Sequence, residues 1–192
     1  MWYQGRSRAK QAPADPVCTL RSRINLLAGP PADPHKLSEM MGCFFSEKGK
    51  HVVCGGTTSI LAAEFLHKPL DTPFPCHLDP AIPPVAQIDG VDLVTEGLIT
   101  IGRVLQYARN YRAGTESAAP WKTGEDGASQ IARLLFDEAG ELTFYVGRAV
   151  NPAHQAGEAG KRTGGYSDKI GLLKALETCL RNMGKPIQVH YF

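Results

Sequence analysis

The residues best suited to do chemistry are Val52-Val53-Cys54-Gly55-Gly56-Thr57-Thr58. An apolar run passes through two glycines and two threonines, and the spacing of Ile60, Leu61, Ala63 and Leu66 then predicts a helix. Glycines let a backbone approach a ligand closely, and the N–H groups that open a helix point at an anion with the dipole behind them. The threonine hydroxyls add hydrogen bonds. The run lacks the Gly-Lys-Ser/Thr of a Walker A loop and is not GxGxxG. The competing reading is a plain strand-to-helix turn with Thr57 as N-cap.

Three further polar turns follow predicted strands or open predicted helices: Thr95-Glu96-Gly97, Asp126-Gly127-Ala128-Ser129 and Asn151-Pro152-Ala153-His154. Arg148 ends the strongest strand and is either an anion ligand or a solvated strand end. Thr95 reads as an N-cap with Glu96 in the first turn, where the dipole favours an anion. The candidate ligand-binding set is therefore Gly55, Gly56, Thr57, Thr58, Thr95, Glu96, Asp126, Arg148, Asn151 and His154. No catalytic constellation stands beside it: there is no G-x-S-x-G elbow and no H-E-x-x-H. A metal site from Cys54, Cys76 and His77 lacks the short paired spacing that zinc uses, so neither a metal nor a cofactor is expected. The five cysteines read as reduced thiols.

The elements that must position these residues alternate. Residues 1–16 read as a flexible leader or truncated end, and residues 17–192 as a single α/β domain. Strands are predicted at residues 24–28, 51–54, 85–88 (turning at Asp89-Gly90 and resuming at 91–94), 142–146 and 187–192. Helices are marked by Leu37, Met40 and Phe44; by Leu98, Ile101, Leu105 and Ala108; by Ile131, Leu134 and Leu135 behind an Asp126 cap; and by Ile170, Leu173, Leu176 and Leu180 behind a Ser167 cap. This order predicts a mostly parallel sheet with helices on both faces in three layers. In such sheets ligands bind at the carboxyl ends of the strands. The aromatic and β-branched run at 142–146 should be buried on both faces.

Composition narrows the class. The chain of 192 residues is 43% hydrophobic and 21% charged with a net charge of +2. That excludes disorder over most of its length and gives no electrostatic case for nucleic acid. No apolar run approaches the roughly 20 residues that span a bilayer. The basic start lacks the apolar stretch of a signal peptide, so a cytoplasmic location is expected.

Leu26-Leu27-Ala28-Gly29-Pro30-Pro31, His51-Val52-Val53-Cys54-Gly55-Gly56-Thr57-Thr58 and Asp92-Leu93-Val94-Thr95-Glu96-Gly97, in this order, resemble the C-terminal region of bacterial stage II sporulation protein E-type phosphatases. These are metal-dependent serine/threonine phosphatases of the PPM class. The resemblance runs from about residue 17 through Val146-Gly147-Arg148-Ala149-Val150-Asn151-Pro152-Ala153-His154 to Tyr191-Phe192. It implies manganese or magnesium only where a phosphatase domain is present, because the aspartates that hold two metals are not identifiable here. The leading expectation is thus a non-catalytic regulatory or ligand-sensing module, working with a phosphatase catalytic domain or partner chain and taking a small anionic ligand. The alternatives are a small enzyme acting on a phosphate-bearing or other anionic metabolite at the strand-GGTT-helix site, with Glu96 or His154 as acid or base, and a structural dimerisation domain.

Overall fold

A computed structural model describes residues 21–71, 85–114, 119–149 and 169–192. The leader, Asn151, His154, Ser167, Cys76 and His77 lie outside the described residues. Five strands form one all-parallel sheet: β1 Ser22–Ala28, β2 Lys50–Cys54, β3 Leu93–Thr95, β4 Ala139–Val146 and β5 Ile187–Tyr191. Their order is β3-β2-β1-β4-β5. Leu26 stands beside Val52 on one side and Phe144 on the other, and Phe144 in turn beside Val189. The chain steps outward from β1 to β3, then returns across the sheet to β4, so the winding reverses between β1 and β4.

Side-chain alternation along the strands splits the core in two. Leu27, Val53, Val94 and Tyr145 pack with Met40, Met41 and Phe44 of α1 (Leu37–Ser46) and Ala62 and Ala63 of α2 (Gly56–Leu66). Ile24, Leu26, Val52, Leu93, Leu142 and Phe144 face the other way. They meet α3 (Leu98–Ala113), α4 (Gly127–Ala132) and α5 (Lys169–Asn182). This is the predicted three-layer α/β arrangement. Phe144 at 0% and Tyr145 at 3% exposure show a strand buried on both faces.

Three expectations about local structure need correction. Residues 85–88 do not form a sheet strand. The chain turns at Asp89-Gly90, where Val91 N donates to Ile88 O at 3.0 Å, so its arms run antiparallel. Ala86 only bridges Val94, and Gln87 bridges Asp71. Thr95 is not an N-cap but the last residue of β3: it pairs with Cys54, and its carbonyl accepts Gly55 N at 2.8 Å, which keeps it in the ladder. Gly97 is the residue that precedes α3. Thr57 does not cap α2 either, since Gly55 at φ 114° makes the turn and its carbonyl accepts Ser59 N at 2.8 Å.

Beyond the strands the turns after β1 and β4 stay in contact. Gly147 N donates to Ala28 O at 3.0 Å and Ala149 N to Pro30 O at 3.1 Å. A Cβ on Gly147 would overlap the carbonyl oxygens of Gly29 and Pro30, whereas one on Gly42, in α1, would meet nothing. Opposite signs are expected on urea denaturation. Gly147→Ala should lower stability by about 1–3 kcal/mol through overpacking, and Gly42→Ala should raise it by about 0.5–1 kcal/mol as a helical glycine replaced.

Candidate functional site at the carboxyl edge of the sheet

The turns after β2 and β3 converge. A Cβ on Gly97 would lie 3.1 Å from Gly55 Cα, so small residues are needed on both sides of this contact. Gly56 and Thr57 follow, both exposed, and a Cβ on Gly56 would enter open space. The first three N–H groups of α2 have no partner within the helix, by the geometry of any α-helix. This part of the predicted site is a helix start with open approach.

Thr58 faces elsewhere. It is buried at 2% exposure, and its hydroxyl oxygen accepts Gly29 N at 3.0 Å. The hydroxyl joins the turn after β1 to the first turn of α2. Thr95 is also buried, and its Oγ1 donates to Cys54 Sγ at 3.6 Å. Burial, aided by the Glu96 charge and opposed by the Thr95 hydrogen bond, pushes the Cys54 thiol up to about 12. Among the described residues no group of three or more His, Cys, Asp and Glu can hold a metal ion.

Glu96 is half-buried on the link between β3 and α3, and its Oε2 is buried without a hydrogen-bond partner. Asp126 caps α4 as its sequence predicted, accepting Ser129 N at 3.0 Å on Oδ1 and the Ser129 hydroxyl at 2.7 Å on Oδ2. Burial pushes the Asp126 carboxyl up. The Ser129 hydrogen bonds and the Arg103 charge outweigh it and hold the carboxyl below its ordinary value. A Cβ on Gly127 would press on Thr95 at 2.9 Å, which brings the start of α4 against the end of β3. Arg148 stands apart, exposed after β4, with its guanidinium 6.0 Å from the centre of the Tyr191 ring.

The structure adds a residue absent from the candidate set. Lys169 is the first described residue of α5, and its ammonium lies against Gly29, on the Cβ side of that residue. It donates to Ala149 O at 3.4 Å, and partial burial lowers its pKa. Gly29 thus touches both Thr58 and Lys169, so the ammonium lies beside the turn that Thr58 ties to α2. No signal in the sequence singled it out. Comparison with known proteins adds no relative, as no family model, curated protein or solved structure matches the chain.

The geometry gives Thr58 a structural weight that is independent of any ligand. Thr58→Val keeps the shape but leaves a buried Gly29 N–H unpaired, and should cost about 1–3 kcal/mol in chemical denaturation. Thr58→Ser keeps the acceptor and should recover most of that loss.

Proposed function

We propose that the carboxyl edge binds a small molecule through a phosphate or another anionic group, and that the protein is a regulatory or ligand-sensing module rather than a catalyst. The observation that carries this reading is Lys169. A half-buried ammonium is costly unless an anion compensates it, and this one sits where the sheet reverses its winding. The open approach to Gly56 and Thr57 supplies N–H donors nearby. Glu96 would repel an anion at close range, so its unpartnered oxygen suits a hydroxyl or amine on the same ligand. The resemblance to the C-terminal region of stage II sporulation protein E-type phosphatases supplies the partner, a phosphatase catalytic domain in the same or a separate chain. No helix among the described residues is long and apolar enough to cross a membrane.

A small-enzyme reading rests on the same Glu96 oxygen, placed to act as a base toward a bound group. The two readings part on turnover. With Mn²⁺ and an aryl phosphate, the regulatory reading expects no product; chelator-sensitive release of phenol would overturn it.

Thermal shift with inorganic phosphate, nucleotides and sugar phosphates tests the binding. At least one should raise the Tm of the wild type, as any ligand selective for the native state does. Lys169→Met and Gly56→Val should each cancel the rise while remaining folded, Gly56→Val because its branched Cβ occupies the approach. A Tm that no compound raises, or a rise that survives both substitutions, removes the site.

A further inference from the structure

A second polar concavity lies at the opposite edge, by the amino ends of β2 and β3. It is an open depression of about 200 Å³ lined by Lys50, Asp92, Leu93, Arg133, Leu134 and Glu138, with Gln130 at its side. One wall is the wide π-type turn Arg133–Glu138 that continues α4. Such turns are rare within helices and concentrate at functional sites. The volume is below the ~300–1,000 Å³ of pockets that take drug-sized ligands, so an occupant must be small.

The charges around this space are not all paired. Lys50 Nζ and Glu138 Oε2 hold each other at 2.6 Å. Arg133 is half-buried, with Nη1 donating to the carbonyls of Trp121 and Gly124, which fixes its guanidinium without neutralising it. Asp92 accepts His51 N at 2.7 Å on Oδ2, which orients its carboxylate and leaves Oδ1 over. Among the described residues, Arg133 has no carboxylate within ion-pair distance and Asp92 no cation. A half-buried guanidinium and an exposed carboxylate, each held by the backbone and neither in an ion pair among the described residues, thus line this space together with the Lys50–Glu138 pair and two leucines. Their complement is a compact molecule bearing one carboxylate and one ammonium on a short carbon frame.

We propose that this amino-edge cavity binds a free α-amino acid, with its carboxylate on Arg133 and its ammonium on Asp92. The site is separate from the carboxyl edge and stands or falls without it.

Titration of the full chain with the free amino acids, one at a time, by calorimetry or NMR shift perturbation tests the proposal. At least one should bind saturably, while its N-acetyl and carboxamide derivatives should not. Asp92→Asn keeps an acceptor for His51 N but loses the charge, and Arg133→Gln removes the guanidinium. Each should weaken binding by about ten- to a hundredfold, the range for a charge-assisted hydrogen bond. Lys169→Met should leave it unchanged. Absence of binding by every amino acid, equal binding of the blocked derivatives, or unaltered affinity in Asp92→Asn overturns the assignment. If Arg133→Gln fails to fold, Asp92→Asn and the derivatives decide alone.

Discussion

The backbone contact between the turns after β1 and β4 is the constraint on which the carboxyl edge depends. A parallel ladder normally ends with its strands, yet here it runs on through Gly147 to Ala28 and Ala149 to Pro30. Only a residue without a side chain fits that approach. The contact fixes Gly29, and Gly29 in turn receives Thr58 from one side and Lys169 from the other. Phe192 is held by the same pair of turns, its carbonyl accepting Arg148 N at 2.8 Å and Ala32 N at 3.3 Å. Elements from both halves of the chain thus register against one small turn.

The two edges of the sheet differ in electrostatic character. At the amino edge, Arg23 pairs with Glu141 and Glu47 and Lys50 with Glu138, while Arg133 and Asp92 are held by backbone groups. Exposed pairs of this kind contribute little, about 0–1 kcal/mol each. The carboxyl edge holds instead a helix start, one half-buried ammonium and one carboxylate oxygen without a donor. Dipole ends and partly desolvated charges keep a stronger field than screened pairs do.

Much of the architecture was legible in the sequence because hydrophobic period and chain punctuation agree in this protein. The apolar steps of α1, α3, α4 and α5 are the buried faces in the structure, and Asp126 caps as its type dictates. Errors fell where tertiary pairing decides. Residues 85–88 have strand-like composition, but a turn reverses them before they can join a parallel ladder. Thr95 and Thr57 have capping side chains, but the ladder held one and a glycine turn displaced the other. For the candidate site, one-dimensional reading brought together the turns after β2 and β3 and the start of α4. It could not tell that Thr58 points to Gly29 rather than outward. Lys169 escaped because its meaning depends on β1, which lies some 140 positions away in the chain.

That distance has a consequence for how the molecule is assembled. Arg23 and Glu141, ion-paired across β1 and β4, are 118 positions apart in sequence. During synthesis at ~5–20 residues per second, β1 therefore waits several seconds or more for its inner neighbour. The layer of α1 and α2 can close on β1, β2 and β3 early, since all its principal members precede Ala113 except Tyr145. Ile24 and Leu26 face the other way, and their cover includes β4 and α5, which emerge last. Until then only α3 and α4 clad that face, and the aliphatic side chains that β4 and α5 complete stay partly wet, the kind of surface that holding chaperones recognise.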